Sequence, residues 1–171
     1  MSTVPPIALV ASAAQKDAVQ VICESMEISG VMNLGRTRLD IGSIPVFDDL
    51  GVVLQHVASG VCCFLTPYSA LKRDLFRCVE QGVHVLTAGP VDLTKAEHGQ
   101  MAEMAAKGQI RVTSGGQFRF SNHYRTIEQQ CRKPAFGQAV YLRHLRGGGG
   151  SLLSAYWAAW DAVDMAVDLI G

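Results

Sequence analysis

The sequence predicts an α/β protein built on a doubly wound parallel sheet, and three observations carry that reading. Short apolar runs of strand length alternate about five times with segments of helical periodicity. The connections between them are only a few residues long. The helical segments also carry start and stop signals at their ends. Alternation of this kind favours parallel strands with helices on both faces. It puts a ligand crevice at the carboxyl ends of the strands.

Taken in order, IALVA (7–11) reads as a buried strand, and a helix follows from about Ala14 to Met26. SGVMNL (29–34) is the next strand, and FDDLGVVLQHV (47–57) is a short helix with Asp48 near its positive end. VCCFLT (61–66) is a strand. SALKRDLFRCVEQG (69–82) is a helix with Ser69 as its N-cap, an apolar stripe of Leu71, Leu75, Cys78 and Val79, and Gly82 as a left-handed stop. VHVLTA (83–88) is a strand. The helix over 93–108 opens on a capping-box pattern of Thr94 and Glu97 and ends at Gly108. QIRVTS (109–114) is the last strand of the series. After Gly115 and Gly116 the pattern changes to a helix over 120–133, an alternating strand over 137–146, a GGGG joint and a final helix. This divides the chain into a first domain, 1–116, and a short α/β segment, 117–171.

With 171 residues, 49% of them apolar, the chain has material for one domain with a sizeable core. Fifteen basic and fifteen acidic residues cancel, so no bulk field selects nucleic acid or a membrane. Eight basic residues against Glu128 alone in 107–146 are spread over helix, strand and loop, as on a solvated face, although they could meet an anion. Five cysteines without a C-x-x-C pair point to a reduced, cytoplasmic setting, with Cys62 and Cys63 packed as small hydrophobes. The five histidines show no metal-ligand spacing, so no metal site is expected. The N-terminus has no secretory pattern. The apolar tail carries Asp161, Asp164 and Asp168 on one helical face, which favours an amphipathic helix over a membrane span.

The stretch FLTPYSALKRDLFRCVEQGVHVLTAGPVDLTKAEHGQMAEMAAKG, with GGQFRFSNHYR, FGQAVYLR and the terminal GGGGSLLSAYWAAWDAVDMAVDLIG, follows a recognisable order and spacing. In these motifs the chain resembles the Gfo/Idh/MocA oxidoreductases. The resemblance implies a Rossmann-like domain followed by an α/β domain on an open sheet, and nicotinamide-dependent chemistry. The Thr66-Pro67 pair matches the family's turn after the third main strand, which lines the cofactor cleft; it also serves as a plain helix entry.

The departures from the family pattern fall on the working parts. The phosphate-binding G-x-G-x-x-G is replaced by Ala11-Ser12-Ala13-Ala14-Gln15-Lys16. An alanine methyl blocks close backbone approach and disfavours positive φ. The helix start could still hold an anion, with Ser12 capping and Lys16 adding charge, or be an ordinary strand–helix turn. At the end of the second strand, where NAD binders place an acid, stands NLGRTR. Arg36 and Arg38 there could hold a 2′-phosphate or be solvated. The lysine of the family's E-K-P motif is replaced by Gly89 in Thr87-Ala88-Gly89-Pro90. In the last helix the family's catalytic histidine position falls on Asp161. Asp161 or Asp164 could act as a base, and a solvated acidic stripe is the plainer reading. The family continues with more strands where this chain reaches Gly171, so the apolar faces of the C-terminal segment need a cover.

These features together predict a degenerate Gfo/Idh/MocA-like protein without dehydrogenase activity and without a cofactor. It would act in binding or assembly, as a homo-oligomer or with a full-length family relative. The competing readings are an NAD(P)-dependent oxidoreductase with a rearranged site, and a sensor of a phosphate-bearing ligand.

Overall fold

The computed structural model describes residues 5–115 and 121–137, together with Val163 and Met165. It divides the chain into two compact units, Met1–Ser114 and Gly115–Gly171. The first unit holds strands β1 (Ile7–Ser12), β2 (Gly30–Leu34), β3 (Val46–Phe47), β4 (Val61–Phe64), β5 (His84–Thr87) and β6 (Val112–Ser114). Its helices are α1 (Lys16–Ser25), α2 (Leu50–His56), α3 (Leu71–Glu80) and α4 (Lys95–Gly108). The six strands lie in the order β3-β2-β1-β4-β5-β6 with every neighbouring pair parallel. This is the doubly wound, Rossmann-like order.

The central strand explains the rest. Ala8, Leu9, Val10 and Ala11 are all sealed from solvent, so both faces of β1 are covered, and only an unbroken apolar run fits such a place. Alternate residues divide two cores. Ala8 and Val10 join Cys62, Phe64 and Val85 under the apolar residues of α2, α3 and α4. Leu9, Ala11 and Val31 pack with Val19 of α1 and with Ile28 and Leu39. The predicted α3 stripe of Leu71, Leu75, Cys78 and Val79 is buried as a set. Burying each leucine of such a stripe contributes roughly 1.5–3 kcal/mol. Cys62 and Cys63 pack into opposite cores, as their apolar run implies.

Several element ends differ from the sequence reading, each for a local reason. Val46 and Phe47 form a sixth strand, paired with Val31 and Met32, where a helix start was expected. Two residues are too short to show a strand period. The α2 cap is Asp49, whose carboxylate accepts from Val52 N at 3.2 Å; Asp48 precedes it near the helix's positive end, as expected. The α3 cap position is Ala70 without a side-chain bond, because Leu71 N donates instead to the Tyr68 carbonyl at 3.0 Å; Ser69 does not cap. Helix α4 keeps its predicted capping box of Thr94 and Glu97, but its left-handed residue is Gln109 at φ 55°, one beyond Gly108. Gly82 does adopt the left-handed conformation, at φ 73°.

The second unit contains α5 (Asn122–Cys131), capped by the Ser121 hydroxyl accepting from Tyr124 N at 3.1 Å. Val163 and Met165 are helical. The strand expected over 137–146 lies outside the described residues apart from Gly137, and so does most of the final helix, including Asp161 and Asp164. Among the described residues no helix is long and apolar enough to cross a membrane.

Two predictions follow from this packing. Gly60 abuts the Pro6 carbonyl, and a methyl group on it would overlap that oxygen and meet the Val57 carbonyl at 2.9 Å. Gly60→Ala is expected to destabilise the fold by about 1–3 kcal/mol, read from its urea midpoint; an unchanged midpoint would contradict this packing. Between α3 and α4, Lys72 Nζ lies 2.8 Å from Glu97 Oε1. The Lys72 hydrogen bond, helped by the Thr94 backbone and hydroxyl, holds the Glu97 carboxyl down to about 2, from an ordinary 4.5. A carboxyl depressed on folding stabilises fully above its unfolded value and loses that contribution as pH falls through its folded one. The difference in Tm between wild type and Glu97→Gln should therefore be present at neutral pH and close between pH 4.5 and 2. A difference that persists unchanged to the acid limit rules the mechanism out.

Candidate crevice at the carboxyl ends of the strands

Strand β1 is where the winding reverses. From it the chain runs to β2 and β3 on one side and returns to β4, β5 and β6 on the other. In open sheets of this order the ligand crevice lies outside the carboxyl ends at that reversal. Parallel register sets Val10 beside Phe64, and Leu65 N extends the pairing by donating to the Val10 carbonyl at 2.9 Å. Ser12 and the Thr66-Pro67 turn thus end adjacent strands, and Arg36 follows β2 on the other side of β1.

The β1–α1 turn is closed on itself. Ala13–Gln15 form one 3-10 turn before α1 begins at Lys16. The Gln15 side-chain carbonyl reaches back and accepts from Ser12 N at 3.0 Å and from the Ser12 hydroxyl at 2.6 Å. Ser12 stands at the N-cap of this turn, as expected, in a capping box with Gln15. The S-x-x-Q spacing of the capping box was the sequence signal for this contact.

Lys16 and Arg38 line adjoining cavities that share Asp40, Ile41, Gly42 and Ile44. Lys16 lines a groove of about 540 Å³ between α1 and the coil 40–44, with Gln20, Glu24 and Asp40. Arg38 lines a second cavity of about 330 Å³ with Asp40 and Pro45. Arg36 is exposed beside Gly35, whose φ of 106° makes the bend after β2. That bend is held by Asn33, whose side-chain amide donates to the Gly35 carbonyl at 3.1 Å. Asn33 is 5% exposed, and its Oδ1 is the one buried side-chain polar atom without a partner among the described residues. A buried amide inside an apolar strand is a signal the sequence reading passed over.

After β4, the half-buried Thr66-Pro67 turn is anchored through Tyr68. Its ring stacks on Phe64 with centroids 6.4 Å apart, and its hydroxyl donates to the buried Asp74 at 2.7 Å. Arg73 Nε donates to the other Asp74 oxygen at 3.0 Å. Burial first, and the Asp74 hydrogen bond second, push the Tyr68 phenol up. Burial pushes the Cys63 thiol up to about 11, and a hydrogen bond to Cys78 followed by burial raises Cys62 well above its ordinary value. None of these groups is poised as a nucleophile near neutral pH.

The position that the resemblance sets against the family's lysine is buried. Gly89 is covered, and its carbonyl accepts two hydroxyls, from Thr87 at 2.7 Å and from Ser114 at 2.9 Å. Ala88 N donates to the Phe64 carbonyl at 2.8 Å, which ties the same segment to β4. The two hydroxyls join the ends of β5 and β6 through one oxygen. Neither was singled out from the sequence for this role. Asp161 and Asp164 lie outside the described residues, so no distance relates them to this crevice. Among the described residues no group of three or more His, Cys, Asp or Glu is arranged to hold a metal ion.

No family model matches the chain, and no curated protein matches it. Solved structures do. A Yersinia pestis protein described as an oxidoreductase superposes with a TM-score of 0.73 at 17% identity, covering 100% of this chain and 54% of its own. The protein yhhX, also described as an oxidoreductase, gives 0.76 at 18% identity, with coverages of 98% and 54%. GenD2 of gentamicin A biosynthesis, solved in complex with NAD, gives 0.62 at 16% identity, with coverages of 79% and 41%. The chain therefore has the fold of Gfo/Idh/MocA-type oxidoreductases and spans about half the length of these structures.

The Gly89 carbonyl yields a prediction. Thr87→Val or Ser114→Ala alone leaves it one donor and should cost about 0.5–1.5 kcal/mol. The double variant strands a buried acceptor and should cost more than the sum of the two. Additive unfolding free energies would show that the hydroxyls do not share one acceptor.

Proposed function

We propose that the chain is a degenerate member of the Gfo/Idh/MocA oxidoreductases that keeps the dinucleotide fold without hydride-transfer activity. It acts in binding or assembly, as a homo-oligomer or beside a full-length relative, in a reducing cytoplasmic setting that its five free thiols suit. The observation that carries this reading is Gly89. Acid–base chemistry beside a nicotinamide needs a titratable group within hydrogen-bond reach of the substrate. The family's amine position holds instead a glycine whose carbonyl is already engaged by Thr87 and Ser114. The residues of the β1–α1 turn do not fit a dinucleotide either, since its Ser12 donors are taken by Gln15 and methyl groups replace glycine hydrogens. Coupled catalytic groups lost together are not rescued by the binding that remains.

The test is a titration of reduced nicotinamide cofactors followed by fluorescence. The expected result is no saturable change at micromolar protein and no turnover with sugar substrates. Saturable binding with turnover overturns the proposal. It would favour an NAD(P)-dependent enzyme with a rearranged site, holding cofactor through Arg36 and moving protons through Asp161 or Asp164. The fold likeness to GenD2, solved with NAD, is what supports that second reading. Assembly is checked separately by solution mass at several protein concentrations, where a mass above that of one chain is expected and a persistent monomer counts against it.

A further inference from the structure

We infer that the cleft between α1 and the coil 38–45 is a binding site for a small zwitterion, a molecule with a carboxylate and an ammonium group at the two ends of an apolar chain. The cleft lies within the first unit, and neither Ser12 nor Thr66 lines it, so the inference is independent of the dinucleotide crevice.

Helix α1 supplies one wall. Lys16, Gln20 and Glu24 follow at four-residue spacing, so they line one face of the helix. A cation stands at one end of that row and a carboxylate at the other, about 12 Å apart along the axis. The coil supplies the second wall. Asp40 stands in the part common to both cavities, with Lys16 in one and Arg38 in the other. Opposite charges gathered in one place ordinarily pair. Here Lys16, Arg38 and Asp40 form no ion pair or hydrogen bond among the described residues, so all three are available to a ligand. The half-buried Ile41 and Ile44 belong to the shared part, which sets apolar surface beside the charges. The larger cavity, about 540 Å³, falls within the roughly 300–1,000 Å³ of small-molecule sites. Cys23 also lines it, but burial first and Glu24 second push its thiol up, so it stays protonated and adds no covalent chemistry.

This mixture of charges selects by repulsion as well as attraction. A polyanion meets the carboxylates of Asp40 and Glu24, and a diamine meets Lys16 and Arg38. A molecule with one charge of each sign satisfies both sets. Its carboxylate suits the planar fork of Arg38, and its ammonium suits Asp40.

The wild type is titrated with ε-aminocaproate, caproate, hexylamine and inorganic pyrophosphate, with the Gly42 and Ser43 backbone amide resonances as the readout. The expected result is a saturable shift with ε-aminocaproate. Caproate and hexylamine each lack one ionic contact and should bind about fivefold more weakly. In Asp40→Asn, shown to be folded by circular dichroism, the affinity for ε-aminocaproate should fall to that for caproate. No saturable shift with the zwitterion overturns the inference. Equal binding of caproate or hexylamine by the wild type does so too, as does a response to pyrophosphate alone. Each of these outcomes leaves the proposed function standing, which only nicotinamide binding with turnover overturns.

Discussion

Strand β1 must be hidden on both faces and paired on both edges at once, and every other feature of the first unit answers to that. Its run from Ala8 to Ala11 lies between β2 and β4, with one core above it and another below. A polar side chain anywhere in that run would be buried without water, at a cost of several kcal/mol if left unpaired. The apolar demand on both faces suits a central place in the sheet, between β2 and β4. It also fixes where the crevice opens, because the sheet reverses its winding at this strand. The carboxyl end of β1 is thus placed by packing, and whatever chemistry stands there is supplied by the few residues that follow Ala11.

Those few residues have turned inward. In three places a donor or acceptor that could face a ligand is satisfied within the chain: Ser12 by Gln15, the Gly89 carbonyl by Thr87 and Ser114, and the Tyr68 hydroxyl by Asp74. Each contact holds a loop that leaves the carboxyl end of a strand. Together they make the rim of the sheet a set of closed local networks, with Asn33 Oδ1 as the exception among the described residues.

The core was legible in the sequence because it repeats. Buried strands as continuous apolar runs and the α3 stripe of Leu71, Leu75, Cys78 and Val79 are periodic signals averaged over many residues. The ends were less legible, because a cap depends on one contact. Asp49 caps the start of α2, and Gln109 rather than a glycine turns left after α4, choices decided by backbone direction that spacing alone does not encode. The candidate site divided in the same way. What was missing could be read directly, since Gly89 and the alanines of the turn stand in the text. What replaced it could not, because the partners of Gly89 come from β5 and from β6, distant in sequence. Gln15 was the exception, a local contact whose S-x-x-Q spacing the sequence does carry.

The two hydroxyls on the Gly89 carbonyl have a mechanical consequence. They seize a main-chain oxygen, which every residue type carries, so a change of side chain at position 89 leaves the clamp in place. The end of β5 is thereby riveted to the end of β6, and loosening it takes a change at Thr87 or Ser114.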